Sequence, residues 1–198
     1  MFKQLKSLFV TGLVCAALLA SGCKEKEYQA VISTEYGDIT VLLYNSTPKH
    51  RDNFVKLVKE GFYNDLLFHR VIESFMIQGG DPDSKNAPAG TRLGSGTVGY
   101  EIDAEIGSPH LRGALAAART PNKLKKSSGS QFYIVTGKQV SAQELMTVEL
   151  SKKIKYNDVQ KQLYLDQGGY PNLDMEYTVF GEVLSGMDDV DRIIRLYT

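Results

Sequence analysis

Short strand-like runs separated by turn residues constrain the fold of this chain more than any other feature of its sequence. The runs YQAVIST and DITVLLY flank the turn residues EYG, which is the pattern of a β-hairpin. Further runs of this kind are LLFHRVI, SFMIQGG, GALAAA, SQFYIVT and YTVFGEVL. With Gly-, Pro- and Ser-rich segments between them, these runs predict antiparallel β structure with few helices.

Helical patterns occur at only a few places. The segment TPKHRDNFVKLVKEG predicts a helix with Thr47 as its cap, Gly61 as its stop, and Phe54, Leu57 and Val58 on one face. The segment GMDDVDRIIRL predicts a terminal helix.

The segment 137–170 is unlike the rest of the chain. SAQELMTVEL opens with the capping-box pattern from Ser141 to Glu144. NDVQKQLYLDQGG has Asn157 as a cap and ends in glycines. Two short helices are therefore expected within this segment.

The length and the charge limit the possible classes of protein. A chain of 198 residues with 42% hydrophobic residues suits one globular domain. Basic and acidic residues balance at 23 each, so the charge gives no reason to expect a nucleic-acid partner.

The N-terminus has the pattern of a secretory signal. Residues 1–22 combine Lys3 and Lys6 with an apolar stretch too short for a typical membrane span, and LLASGC ends at Cys23. Small residues directly before a cysteine resemble the bacterial lipobox, which implies cleavage before Cys23, its lipidation, and a polar tether over residues 23–27. The protein would then be lipid-anchored in the bacterial cell envelope, on the periplasmic side or at the outer surface. The alternative is an ordinary cleaved signal with an incidental cysteine.

Residues 68–82, FHRVIESFMIQGGDP, place Arg70 and Gln78 inside an otherwise apolar run. If the run begins as a strand, Phe68, Arg70 and Ile72 share one face. An arginine among apolar side chains fits a ligand pocket with a few convergent polar groups. It fits equally a core segment from which Arg70 extends to the surface. The pattern alone leaves both open.

The segment GSGTVG, residues 94–99, formally matches a dinucleotide-binding fingerprint. No strand leads into it, no helix follows, and Arg119 stands where an acidic residue is expected. We therefore predict no nucleotide cofactor. The three histidines are too scattered to indicate a metal site.

Four blocks of the sequence together resemble the cyclophilins, the peptidyl-prolyl cis-trans isomerases: FHRVIESFMIQGGDP, GALAAART, SSGSQFYIV and YTVFGEVLSGMDDVDRI. The resemblance spans residues 28–198 apart from the insertion 137–170. It implies a mainly β fold, namely a closed eight-stranded antiparallel barrel capped by two helices, with the active groove on its outer face. We expect a monomer.

The resemblance also implies the site residues. Arg70 matches the catalytic arginine, and Gln78 matches the glutamine that orients it. The matches to substrate-binding positions are Phe75, Met76, Ala118, Arg119, Gln131, Tyr133, Leu173 and Tyr177. Tyr133 stands where many members have Phe, Tyr177 where they have His, and Asn172 where cytosolic eukaryotic members have Trp. The chemistry that the resemblance implies requires neither a cofactor nor a metal.

Two functions follow from the resemblance. The first is an isomerase that accelerates rotation of X-Pro bonds in exported or envelope proteins and so assists their folding. The second is a module that binds proline-containing polypeptides as a chaperone or receptor, with incidental turnover. Arg70 and Gln78 favour catalysis, because a pure binder needs the apolar surface but no donor at the prolyl nitrogen.

Overall fold

The computed structural model describes residues 27–196. The predicted signal segment 1–22 and Cys23 lie outside the described residues. Within residues 27–196, no helix combines the length and the apolar composition needed to cross a membrane.

The described chain is mainly antiparallel β structure, as the sequence predicts. Its strands are β1 Tyr28–Thr34, β2 Gly37–Leu43, β3 Arg70–Ile72, β4 Met76–Gly79, β5 Glu101–Ile102, β6 Ala114–Ala117, β7 Ser127–Ser128, β8 Phe132–Val135 and β9 Val179–Ser185. Seven of them form one sheet in the order β1-β2-β9-β6-β8-β4-β3, and β5 pairs with β7. Every ladder is antiparallel.

The seven-stranded sheet curls strongly around one core. Helix α4, Met187–Arg195, contacts both β2 and β3, which lie far apart in the strand order. Ile39 from β2 and Ile77 from β4 belong to one cluster of buried side chains, against which Val71 of β3 packs. Curling lets both sides of the sheet share this apolar interior.

The predicted closed barrel of eight strands differs from what the described residues form. Among residues 27–196, no ladder joins the outer strands β1 and β3, and the large sheet has seven strands. Side chains from both ends of the sheet meet in the core, but the backbones of β1 and β3 are not paired there. The two-residue strands β5 and β7 are too short for alternation in the sequence to indicate them.

Helix α1, Pro48–Lys59, begins differently from the prediction. Thr47 occupies the cap position, but its hydroxyl donates to the Tyr44 carbonyl oxygen at 3.4 Å and makes no cap bond. The Glu105 carboxylate instead accepts from the first backbone N–H groups of the helix, at 3.1 and 3.0 Å. Phe54 and Leu57 are buried as predicted, whereas Val58 is 42% exposed.

The insertion forms two helices, α2 Ala142–Lys152 and α3 Asp158–Gln167, which confirms the two expected helices. The Ser141 side chain accepts from the Glu144 N–H at 3.1 Å, and Asn157 completes a full capping box. The helices enclose a small core of their own, made of Val140, Leu145, Val148, Tyr156 and Tyr164.

The two ends of the insertion lie side by side. The backbones of Lys138 and Gly169 exchange hydrogen bonds of 3.2 and 3.0 Å. Gly137 has a φ of 63°, and a Cβ there would lie 2.6 Å from Cα of Gly169. A glycine at this position allows the close approach, so the insertion leaves and rejoins the domain at one point.

Candidate active site

The β3–β4 hairpin explains the arginine and glutamine in the apolar run. Arg70 and Gln78 are directly opposed in its register, and Arg70 Nη1 donates to Gln78 Oε1 at 3.3 Å. Gln78 is opposed in turn by Tyr133 on β8. Arg70 is exposed, so its charge stays hydrated while its Cζ lies 5.9 Å from the centre of the Phe75 ring.

An open cleft of about 380 Å³ lies beside this hairpin. Its walls contain Arg70, Gln78 and the predicted residues Phe75, Met76, Ala118, Arg119, Tyr133, Leu173 and Tyr177. His69, Leu93 and Gly94 line it as well. Residues far apart in the sequence thus form one concave surface, which favours the pocket over the alternative of a core segment with an isolated surface arginine.

Phe68 does not share the face of Arg70, contrary to the sequence prediction. The strand begins only at Arg70, and Phe68 packs on the main core with its ring centre 6.2 Å from that of Phe132. Alternation between two faces requires regular strand geometry, which the residues before Arg70 lack.

Gln131 holds Gln78 in place from outside the cleft. Gln78 Nε2 donates to Gln131 Oε1 at 2.9 Å, and Gln131 Nε2 donates to the carbonyl oxygens of Gly94 and Gly96 at 3.2 and 2.8 Å. Gln131, which was predicted to bind substrate, is therefore part of a series of hydrogen bonds that runs from the 94–99 loop to Arg70. The structure does not place it on the cleft wall.

The GSGTVG segment has a local packing role. The backbone N–H of Gly94 donates to the buried carboxylate of Asp81. A Cβ on Gly96 would lie 1.9 Å from Asp81 Oδ1, so only glycine fits there. This contact brings the loop against Gln131 and makes Gly94 part of the cleft wall.

The apolar side of the cleft is a second buried cluster. Met76 and Tyr133 are 1% and 4% exposed, and Phe75 and Leu173 pack against them at the surface. The ring of Tyr170 lies 4.5 Å from that of Phe75. Tyr170 was not predicted as part of the site, because it lies at the end of the insertion and no local pattern relates it to Phe75.

Arg119 and Tyr177 form the other end of the cleft. The Arg119 guanidinium lies 4.6 Å from the centre of the Tyr177 ring and donates to both the carbonyl and the carboxylate of Glu176, at 3.0 and 3.2 Å. Its side chain is only 9% exposed. Asn172 lies nearby in the short 3-10 turn Pro171–Leu173, where it is exposed to solvent.

A buried histidine behind the cleft was not predicted as part of the site. His110 is fully buried, with Nδ1 2.7 Å from Asp174 Oδ1 and Nε2 3.1 Å from the Tyr133 hydroxyl. Burial lowers the pKa of His110, although Asp174 acts in the opposite direction. Among the described residues, no group of three or more His, Cys, Asp or Glu side chains could hold a metal ion.

The two buried histidines predict how stability depends on pH. Burial lowers the pKa of His50 and His110 below the ordinary value near 6.5. As the pH falls below about 6.5, the unfolded chain takes up these protons first, so the free energy of unfolding should decrease, by up to about 1.4 kcal/mol per pH unit for each histidine. Urea unfolding at pH 7.5, 6.5 and 5.5 measures this.

The same series in about 1 M NaCl is the control, because salt screens surface pairs such as Asp103 with its lysines while affecting buried groups less. Equal or greater stability at pH 5.5 in both salt conditions would contradict the expectation.

Comparison with known proteins agrees with the resemblance in the sequence. The family model described as "Cyclophilin type peptidyl-prolyl cis-trans isomerase/CLD" matches residues 29–198. A relative from Staphylococcus aureus strain USA300, provisionally named a peptidyl-prolyl cis-trans isomerase, is 34% identical over 172 residues, or 86% of this chain and 82% of the relative. One from Staphylococcus haemolyticus, with the same provisional name, is 36% identical over 165 residues, covering 82% and 78%.

Similar solved structures have the same fold. A crystal structure of a Cryptosporidium parvum cyclophilin type peptidyl-prolyl cis-trans isomerase matches with a TM-score of 0.58 and 26% identity, covering 85% of each chain. The same protein in the presence of the dipeptide Ala-Pro matches with a TM-score of 0.57 and 27% identity, covering 84% of this chain and 85% of the other. The curled antiparallel sheet with its helices is thus a cyclophilin-like fold.

Proposed function

The chain belongs to the cyclophilin-type peptidyl-prolyl cis-trans isomerases, and on that premise we propose that Arg70 accelerates the reaction by hydrogen bonding to the prolyl nitrogen. The chain is a peptidyl-prolyl cis-trans isomerase. The observation that carries the proposed mechanism is the position of Arg70 at the cleft, where Gln78 holds its guanidinium beside the apolar wall.

The chemistry of the X-Pro bond explains why such a donor accelerates rotation. The barrier of about 20 kcal/mol arises because rotation breaks amide resonance. In the twisted transition state the prolyl nitrogen becomes pyramidal and regains a lone pair. A donor directed at that nitrogen binds the transition state more tightly than either planar ground state, which lowers the barrier.

The apolar wall gives the substrate its position. Proline has no backbone N–H by which it could be held, so its ring must be held by packing. Met76 and Tyr133 form a buried base, with Phe75 and Leu173 at the rim. The C. parvum relative was crystallised in the presence of Ala-Pro, which supports a proline-containing peptide as the substrate class here.

The other polar residues at the cleft keep the Arg70 guanidinium in its position. Gln131 and the 94–99 loop fix Gln78, and Gln78 fixes Arg70, so the guanidinium is oriented before substrate arrives. A fixed donor loses less conformational entropy on reaching the transition state than a free one. The backbone of Arg119 would bind the peptide, since its side chain is engaged with Glu176 and Tyr177.

The test is a proline-isomerisation assay that compares the wild-type domain with Arg70→Ala at equal folded fraction. A binding module needs the apolar pocket but no donor at the prolyl nitrogen. Loss of turnover with peptide affinity retained supports the proposed mechanism. Equal turnover by both proteins would contradict it.

We further propose that the protein acts on exported or envelope proteins while anchored through lipidated Cys23. The sequence LLASGC after a short apolar stretch supports this. A diacyl group together with an acylated amine should anchor the protein stably, whereas a single acyl chain binds a membrane only marginally.

For Cys23→Ala expressed in a bacterial host, we expect the protein to move from the membrane to the soluble fraction. Mass spectrometry of the wild-type mature N-terminus should find a lipid-modified cysteine. Cys15→Ala is the matched control, because Cys15 lies within the segment expected to be removed. An unmodified mature N-terminus, or identical fractionation of Cys23→Ala and wild type, would refute lipidation.

A further inference from the structure

A chain of buried hydrogen bonds connects the insertion to the wall of the cleft. Tyr156, between α2 and α3, and Tyr164, within α3, both donate to Asp174 Oδ2, at 2.5 and 2.7 Å. The other oxygen of Asp174 accepts from the backbone N–H of His110 at 2.8 Å and lies 2.7 Å from its Nδ1. Nε2 of His110 lies 3.1 Å from the hydroxyl of Tyr133, which lines the cleft.

The contacts fix the direction of each hydrogen bond. The Asp174 side chain already accepts from Tyr156, Tyr164 and the His110 backbone N–H, so it also accepts from Nδ1 of His110, which carries the proton. A histidine kept neutral by burial then has a free lone pair on Nε2. The Tyr133 hydroxyl, whose pKa is raised by burial, stays protonated and donates to that lone pair. The ring of Tyr133 is therefore held by its hydroxyl.

All five residues of this series of hydrogen bonds are buried, so a lost hydrogen bond is costly. Tyr164 and His110 are fully buried, and Tyr156, Asp174 and Tyr133 are each 5% exposed or less. A polar group this deep that loses its partner cannot turn to water instead. Each member of the chain therefore favours one position of its neighbours.

A second contact runs from the insertion to the same wall. Lys152, at the end of α2, lies 3.9 Å from the Glu176 carboxylate, which also pairs with Arg119. Arg119 packs over the Tyr177 ring, and that ring meets Tyr133 edge to face with centres 6.0 Å apart. The first series of contacts ends at the Tyr133 hydroxyl, and the second ends at its ring.

We propose that the insertion positions the wall of the proline pocket. Tyr156, Tyr164, Asp174 and His110 act as positioning residues that fix the Tyr133 ring and thereby set the affinity for prolyl peptides. The inference rests on the proposed use of the cleft as the proline site. In relatives with Phe at the position of Tyr133, the hydrogen bond between this residue and His110 cannot form.

A double-mutant cycle tests the proposal. Its first change is Tyr156→Phe combined with Tyr164→Phe, and its second is Tyr133→Phe. In the wild-type background, removing both insertion hydroxyls should raise KM for a short prolyl peptide about three- to ten-fold, the size of coupling seen between members of one hydrogen-bond network. The value of kcat should change less, because Arg70 is untouched.

In the Tyr133→Phe background, the same pair of changes should alter KM by less than about two-fold, because the connection to the cleft is already broken. Tyr63→Phe is the matched control. It removes a tyrosine hydroxyl that donates to the Ser130 carbonyl at 3.2 Å, and Tyr63 does not line the cleft. This control should lower stability but leave KM unchanged.

A measurement independent of activity tests the central link. Long-range proton–nitrogen NMR on ¹⁵N-histidine-labelled protein should show neutral His110 with its proton on Nδ1. In Tyr133→Phe, the Nε2 resonance should shift because its donor is gone. A proton on Nε2 in the wild type would overturn the proposed direction of the chain.

The outcomes separate this inference from the proposed function. If Arg70→Ala abolishes turnover but the cycle is additive, the positioning role is wrong and the active site stands. If Arg70→Ala and Tyr133→Phe both leave kcat and KM unchanged, the cleft is not the proline site and both proposals fall.

Discussion

Arg70→Ala should lower kcat/KM for a prolyl tetrapeptide by roughly ten- to a thousand-fold, which corresponds to about 1.4–4 kcal/mol of transition-state stabilisation. The loss should appear mainly in kcat, because the apolar wall that we propose binds the proline ring is unchanged. Arg70 is exposed at the start of a short outer strand, so its removal leaves no cavity in the core and the fold should survive.

Two further variants test whether the effect is specific to the guanidinium group and to this position. Arg70→Lys keeps the charge but loses the planar fork of donors that Gln78 orients, so it should recover little activity. Arg192→Ala is the matched control, because Arg192 is an exposed arginine on α4 that bonds Asp189 and does not line the cleft. It should behave as wild type.

Circular dichroism and urea unfolding of each variant verify that folded fractions are equal. If Arg70→Ala isomerises the peptide as fast as wild type, or if Arg192→Ala loses as much activity, the donor mechanism is wrong.

Cyclosporin should inhibit the wild-type domain weakly. In relatives that bind this cyclic peptide well, the indole N–H of a tryptophan donates to the drug and the ring covers apolar surface. This chain has no tryptophan, and the matching residue, Asn172, is exposed in the turn Pro171–Leu173. Losing one buried hydrogen bond and the aromatic contact should reduce affinity at least about 10-fold and up to about 100-fold or more.

Asn172→Trp should recover part of the affinity, measured by inhibition of turnover and by calorimetry. Asn64→Trp is the control, since Asn64 is an exposed asparagine that does not line the cleft. Nanomolar inhibition of the wild-type domain would contradict the prediction and would mean that another residue, such as Tyr177, supplies the missing contact.

The sequence alone predicted the family, most secondary structure and the main cleft residues. The strands β1 and β2 could be predicted because each has one face toward the core and is long enough to show a period of two. The roles expected for Arg70 and Gln78 came from the resemblance to the cyclophilins, and the two residues are directly opposed because one short hairpin holds both.

Features made by distant segments could not be derived in this way. Closure of the sheet depends on whether the backbones of β1 and β3 meet, and within residues 27–196 no ladder joins them. Gln131 matched a substrate-binding position, but its side chain turns toward the glycine loop, because Asp81 holds that loop against it.

The connection from Tyr156 and Tyr164 through Asp174 and His110 to Tyr133 was decided only by the tertiary structure. Local patterns in a sequence record helix caps, turns and amphipathic faces, since these depend on neighbours a few residues apart. A buried hydrogen bond between distant residues depends on how whole elements pack, and no local pattern specifies that. The sequence therefore indicated the reaction and the arginine that we propose as its donor, and the packing determined which residues hold Tyr133 at the cleft.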